Sequence, residues 1–144
     1  PSARERRVAA DRRPLVVLAG VIERDGRFLV TRRLKHTHLA DYWEFPGGKC
    51  EPDETHEACL AREFLEELGV RVDVGEEILS TEHAYPEQTV RLHFRWCRLD
   101  GDPQPMLGQA IRWVTRAELA SLPFPDADKE LIAKLTKTAW FSAG

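Results

Sequence analysis

The stretch GGKCEPDETHEACLAREFLEELGV, residues 47–70, sets seven acidic side chains in the seventeen positions from Glu51 to Glu67. Glu63, Glu66 and Glu67 stand at i, i+3 and i+4. On a helix those positions are neighbours, and like charges there repel by about 0.2–0.5 kcal/mol per pair. A solvated acidic face is the ordinary reading of three such glutamates. Here Arg62 is the only Lys or Arg between Lys49 and Arg71, so basic neighbours do not offset the repulsion. A hard divalent cation such as Mg²⁺ would. It takes oxygen ligands, keeps several waters, and holds to one or two carboxylates plus substrate phosphates. A three-glutamate face turned toward a cleft meets that need.

The carboxylates require a helix to carry them, and the residues around them predict one from Thr55 to Leu68. Asp53 or Thr55 caps its start and Gly69 stops it. On a helical wheel, Ala58, Ala61, Phe64, Leu65 and Leu68 make one side, and Glu63, Glu66 and Glu67 share the opposite side. Upstream, PLVVLAGVIERDGRFLVTRR reads as two strands joined at Asp25-Gly26, a hairpin signal, and the nearly all-apolar first strand belongs in the middle of a sheet. LKHTHLADY reads as a surface loop leading into WEFPGG, where Pro46 and two glycines close a short extended piece. Downstream, VRVDV, EEILSTEHAY, TVRLHFRWCRL and AIRWV read as strands, the third with one covered face. Helices from Thr115 to about Ala120 and from Asp126 to about Thr138 close the chain. The alternation predicts a single α/β domain with a mixed sheet between helices. Trp96 and Trp113 fall in strand patterns and read as packing residues.

The chain's 144 residues suit one domain, taken as 14–144 behind a flexible basic arm, 1–13. Through Pro14 that segment carries five Arg against two acids and has no apolar stretch of the kind a secretory signal needs. With 42% hydrophobic and 31% charged residues and no bilayer-length apolar run, membrane insertion is not expected. A net charge of −3 without a basic stripe beyond the arm argues against a stable nucleic-acid partner. Cys50, Cys59 and Cys97 lack paired spacing and read as reduced thiols, in keeping with a cytoplasmic location. His56 and Cys59 fall on the same side as Glu63 and Glu67, yet soft-metal sites draw on spaced Cys and His clusters. A zinc or redox role is therefore not assigned. His83 reads as a loop residue and His93 as a strand-surface residue.

The segment also resembles the Nudix box, G-x5-E-x7-R-E-U-x-E-E-x-G-U with U apolar: Gly48, Glu54, then Arg62-Glu63-Phe64-Leu65-Glu66-Glu67-Leu68-Gly69-Val70. Every fixed position is filled, with Phe64 at an apolar position that usually holds an aliphatic residue. The resemblance implies an α/β/α sandwich with a central mixed sheet. It also implies an enzyme that hydrolyses a nucleoside diphosphate linked to a further moiety, with Mg²⁺ as cofactor and Mn²⁺ as a substitute. Glu63 and Glu67 would be the main metal ligands and Glu66 a direct or water-mediated one, with the Gly47 carbonyl completing the shell. Arg62 would orient the glutamates. Glu54 would serve as metal ligand, as base, or as orienter of water; Lys49 would contact phosphate or orient water.

Beyond the box, TRR (Thr31 to Arg33), LADYWEFPGGK (Leu39 to Lys49) and FPDADKELI (Phe124 to Ile132) resemble the MutT-like nucleoside triphosphate pyrophosphohydrolases. These release a nucleoside monophosphate and pyrophosphate, commonly from oxidised or otherwise modified nucleotides such as 8-oxo-dGTP. Arg33, Phe45 and Asp128 would line the nucleotide pocket, with Phe45 equally readable as core, and Tyr85 and Gln88 lie in a loop that flanks the base. Two departures stand out. Leu107 occupies a place where this branch often has a metal-site Glu, so either that ligand is dispensable or Glu82, Glu87 or Asp102 substitutes. Asp128 stands where the prototype 8-oxoguanine sanitiser has Asn. Ionised Asp only accepts hydrogen bonds, which suits the N4 amino group of cytosine or the N1–H and N2 edge of guanine, whereas protonated Asp imitates Asn. Asp in this place also occurs in relatives acting on CTP and 5-methyl-dCTP, so the resemblance implies these beside 8-oxo-dGTP as substrates and leaves the base open. The alternatives are another nucleoside-diphosphate substrate, such as a nucleotide sugar or dinucleoside polyphosphate, or a non-catalytic nucleotide sensor. A monomer or homodimer is expected.

Overall fold

The computed structural model describes residues 13–34 and 40–137. The basic arm up to residue 12, part of the loop expected at LKHTHLADY, and the chain beyond Lys137 lie outside the described residues.

The apolar first strand, β1 (Leu15–Val21), lies inside a four-stranded mixed sheet. It runs antiparallel to β5 (Gly47–Lys49) and parallel to β7 (Thr89–Asp100), which in turn pairs antiparallel with β6 (Arg71–Ala84). A strand flanked on both edges and covered on both faces has no polar side, which is why β1 reads as a continuous apolar run. Its side chains divide between two cores. Leu18 packs with Leu60, Phe64 and Leu68 below the sheet, whereas Ala19 and Val21 pack with Phe94, Leu119 and Leu131 above it. These cores set helix α1 (His56–Leu68) on one face and helices α2 (Arg116–Ser121) and α3 (Lys129–Lys137) on the other, as the α/β/α expectation requires. Trp96 and Trp113 pack as partly buried residues against the upper and lower cores respectively.

The Asp25-Gly26 turn forms with both residues at positive φ, 53° and 76°, which matches the right-handed twist of its flanking strands. It joins β2 (Glu23–Arg24) to β3 (Arg27–Arg32), not β1 to β3. The chain leaves the first sheet at Ile22, and β2, β3, β4 (Trp43–Glu44) and β8 (Ile111–Val114) make a second antiparallel sheet around β3. The expected strands VRVDV and EEILSTEHAY are one strand, β6, interrupted by register shifts between Val74 and Leu79. A bulge there absorbs the polar Gly75-Glu76-Glu77 stretch that separates the two patterns in sequence.

Thr55, and not Asp53, caps α1, its hydroxyl accepting from the Ala58 N–H at 3.1 Å, and Gly69 ends the helix in the left-handed conformation at φ 61°. Thr115 and Glu118 cap α2 reciprocally. The last helix starts later than expected, because Asp126–Asp128 form a 3₁₀ turn ahead of Lys129.

Two further expectations fail. The buried residues of α1 are Cys59, Leu60, Phe64 and Leu68, while Ala58, Ala61 and Leu65 face solvent. On the wheel the inward arc runs from Cys59 past Glu63, Glu67 and Leu60 to Phe64 and Leu68, so the two glutamates lie within it and not opposite it. The second failure concerns thiols: Cys50 and Cys59 form a disulfide, with Cα atoms 5.3 Å apart. The Cys50 N–H donates to the Val16 carbonyl at 2.9 Å, which holds the end of β5 on β1 and turns the chain back over the first turns of α1. Only Cys97 is free, and burial pushes its thiol up to about 12.

Candidate active site

Glu63 and Glu67 reach the cleft because α1 packs beneath β1 and β5. Two glycines make that approach possible. At Gly48 a Cβ would lie 2.5 Å from the Glu63 carboxylate carbon, and at Gly47, with φ 155°, it would lie 1.9 Å from the Leu18 carbonyl oxygen. Larger residues at either place would fill the space the carboxylates and backbone occupy.

Arg62 organises the cluster. Its Nε and Nη2 donate to the two Glu54 oxygens at 2.8 Å each, Nη1 donates to Glu63 at 2.9 Å and reaches Glu66 at 3.5 Å, and Nη2 also donates to the Lys49 carbonyl at 3.0 Å. The bidentate pair, together with the Glu51 N–H at 2.7 Å, holds the Glu54 carboxyl down at about 2. Charge-assisted bonds of this kind fix a side chain's direction as well as its charge.

Glu67 is the opposite case. Burial, followed by the neighbouring charges of Glu63 and Glu44, pushes its carboxyl up to about 8, with the Gly47 N–H as its hydrogen-bond donor. Its Oε2 is buried and has no hydrogen-bond partner. Burial likewise raises Glu63. A buried carboxylate oxygen without a partner is costly to keep, and two desolvated carboxylates on one arc, both oxygen donors, suit a divalent cation. Glu63 and Glu67 therefore fit the metal that the box implies, and Glu66, at the rim, is exposed.

A cavity of about 380 Å³ adjoins this cluster, with Arg33, Glu44, Phe45, Gly47, Lys49 and Asp128 among its lining. Phe45 is at once core and wall. It stacks on Phe124 at 5.5 Å and meets Phe94 edge-on at 6.3 Å, both within the upper core. Asp128 comes from the 3₁₀ turn and is 7% exposed. Burial, then the charge of Glu44, pushes its carboxyl up to about 7 against the pull of Arg33. A second cavity of about 190 Å³ holds Glu67, Leu107 and Gln109 and shares Arg33 and Glu44 with the first, so these two residues form the common wall.

Tyr85 and Gln88 are not brought into this pair of cavities. They sit at the tip of the β6–β7 hairpin, paired backbone to backbone. Tyr85 lines a neighbouring cleft with His83 and Ala127, whereas Gln88 faces a separate cavity beside Pro14, Glu54 and His56. Leu107 does lie next to Glu67. None of its sequence substitutes does: Glu82 pairs with Arg91 and Asp102 with Arg24, and neither these nor Glu87 line the two cavities.

The carboxylate that comes close is Glu44, a residue the sequence reading passed over. It accepts from Arg33 Nη1 at 2.7 Å, is raised by burial, and acts on both Glu67 and Asp128. The signal for it was an acid between two aromatics in a WEF strand, where an exposed face was the default. Gln109 was also missed. Its amide donates to the Glu67 carbonyl at 2.8 Å and its oxygen accepts from Leu107 N–H at 3.0 Å, tying the end of α1 to the loop over the second cavity.

A family model described as the NUDIX domain matches residues 17–134. The chain belongs to that family. It is similar to the CTP pyrophosphohydrolase of Escherichia coli K12, 38% identical over 118 residues that span 81% of this chain and 87% of that protein. It is equally similar to the putative 8-oxo-dGTP diphosphatase 2 of Mycobacterium tuberculosis H37Rv, at 39% over 126 residues, 85% of this chain and 89% of that one. Among solved structures it superimposes on the E. coli ORF135 protein with a TM-score of 0.80 and 33% identity, covering 90% of this chain and 93% of that one. As a Nudix hydrolase this chain is an enzyme that works with a divalent metal. Among the described residues no helix is long and apolar enough to cross a membrane.

Proposed function

We propose that this Nudix hydrolase cleaves nucleoside triphosphates to nucleoside monophosphate and pyrophosphate, removing modified or oxidised nucleotides such as 8-oxo-dGTP, or CTP and 5-methyl-dCTP, from the cytoplasmic pool. The observation that carries this reading is the common wall of Arg33 and Glu44, which sets the larger cavity beside the desolvated carboxylate of Glu67, with the Glu63 carboxylate packed behind Gly48 in the lining of that cavity.

In this reading Glu63 and Glu67, with the Gly47 carbonyl and with Glu66 from the rim, hold Mg²⁺. The cation supplies charge neutralisation at the phosphates and activation of the attacking water. Arg62 keeps Glu63 aimed inward. Glu54, fixed as an anion by Arg62, orients that arginine in turn. Lys49, exposed at the cavity mouth, meets the phosphates. The base enters between Phe45 and Asp128.

Asp128 titrates near neutrality, so its hydrogen-bonding character changes across the working range. Below about 7 the carboxylic acid donates as well as accepts and imitates Asn toward 8-oxoguanine. Above it the carboxylate only accepts and favours the cytosine amino group. The test is pyrophosphate release from 8-oxo-dGTP, dGTP, CTP, dCTP and 5-methyl-dCTP with Mg²⁺, as kcat/KM at pH 6 and pH 8.5. The preference for 8-oxo-dGTP over cytosine nucleotides should fall as pH rises, and Asp128→Asn should remove that dependence. Selectivity that ignores both pH and the substitution excludes Asp128 as the base reader; no pyrophosphate from any triphosphate sinks the proposed reaction.

A further inference from the structure

The geometry points to a second metal site, distinct from the Nudix carboxylates, in which His56, Glu77 and His93 take a borderline-soft divalent cation of the Zn²⁺ class. The three residues come from three elements: the first residue of α1, the bulged part of β6, and β7. One ligand atom from each lies within 4.8 Å of the others. Tetrahedral zinc with ligands at about 2.0–2.1 Å sets its donors about 3.3 Å apart. The Glu77 side chain, 43% exposed, has solvent space beside it in which to turn toward such an ion.

The site is partly organised. Glu77 Oε1 lies 2.5 Å from His93 Nδ1 and fixes that ring. The His56 ring stands 4.6 Å from it, tilted by 52°. An ion pair between His93 and Glu77 would explain those two residues, but it leaves unexplained a second imidazole drawn up against the first. Two borderline imidazoles joined by one carboxylate make a donor set that suits Zn²⁺ and leaves a fourth position for water. The Nudix glutamates offer hard oxygen alone, which suits Mg²⁺.

Arg95 is the adverse charge. Its Nη1 is 3.4 Å from His56 Nδ1, but the guanidinium is also held by Glu57 at 3.2 Å and by the Gly75 carbonyl at 2.9 Å. Glu57 offsets it, and the other two partners remain if His56 turns to the ion.

His56 and Glu63, the nearer of the two Nudix ligands, are seven residues apart on α1, about 10 Å along the axis, so the two sites do not share ligands. An ion at the first would pin the start of α1 to the β6–β7 hairpin.

The experiment is calorimetric titration of the EDTA-stripped full chain with Zn²⁺ in millimolar Mg²⁺, paired with thermal melts. One Zn²⁺ should bind per chain, and free Zn²⁺ at about 100 times Kd should raise Tm by on the order of 5–10 °C. His93→Gln and, separately, His56→Gln should each weaken binding by at least about 10–100-fold. Circular dichroism in EDTA checks that each variant folds. Glu63→Gln combined with Glu67→Gln should leave the Zn²⁺ isotherm in place. No Zn²⁺ binding by the unaltered chain, binding unchanged in both histidine variants, or binding lost with the two glutamates would each overturn the assignment.

Discussion

Replacing Glu67 by Gln should cut catalysis by orders of magnitude and, in the metal-free protein, stabilise the fold at alkaline pH. The carboxyl is pushed from its ordinary value of 4.5 up to about 8 by burial and by the charges of Glu63 and Glu44. Below pH 4.5 it is protonated in folded and unfolded chains alike and costs nothing. Between 4.5 and 8 the unfolded chain gives up its proton first, so folded-state stability falls as pH rises; above 8 the full penalty stands. At about 1.4 kcal/mol per tenfold change in the proton equilibrium, the penalty reaches up to about 5 kcal/mol. Gln keeps an acceptor for the Gly47 N–H and carries no charge. Urea unfolding in EDTA at pH 5 and pH 8.5 reads the effect. The unaltered chain should lose several kcal/mol between the two; Glu67→Gln keeps the share due to Asp128, which also titrates in this window, but should lose less than the parent and be the more stable at pH 8.5. With Mg²⁺ and substrate the order reverses, since the variant has lost a ligand; kcat should fall by about 10²–10³-fold or more. A Gln variant no more stable than the parent at pH 8.5 in EDTA would show that Glu67 is not a desolvated charge, and the argument for a cation there would go with it.

Gly48→Ala should fold nearly normally and lose activity. The new Cβ meets the flexible end of Glu63 at 2.5 Å, so the carboxylate swings away at little cost to the core. A misplacement of that size is worth about 10²-fold in rate, read as kcat beside an unchanged melting temperature; full activity would mean that Glu63 need not occupy its observed position. Reducing the Cys50–Cys59 bond, which closes a short loop between β5 and α1, should cost about 2–3 kcal/mol by chain entropy. Urea midpoints with and without reductant measure it, and coincident curves would refute a stabilising disulfide.

Features that depend on a few neighbouring residues were legible in the sequence. The Asp25-Gly26 turn, the Gly69 stop and the Thr115 start are local contests over backbone conformation, and each came out as its residue types require. The Nudix pattern was legible for a related reason: its spacing brings Arg62, Glu63, Glu66 and Glu67 together on one helix whatever the rest of the chain does. Which arc of that helix turns inward was not. Ala58 and Leu65 are as apolar as the buried set requires, yet β1 and Val70 select Leu60, Phe64 and Leu68, carrying Glu67 in with them.

Glu44, Gln109 and the pairing of Cys50 with Cys59 escaped for the same reason. Nothing within a few residues of Glu44 marks it as part of the site; Arg33, just past the end of β3, and Asp128, on a distant 3₁₀ turn, meet it there. The sequence by itself determined the chemistry available, a ladder of carboxylates clamped by one arginine and framed by a cap and a stop. Tertiary structure alone decided which of those carboxylates lose their water, because desolvation depends on what packs overhead, and that comes from parts of the chain remote in sequence.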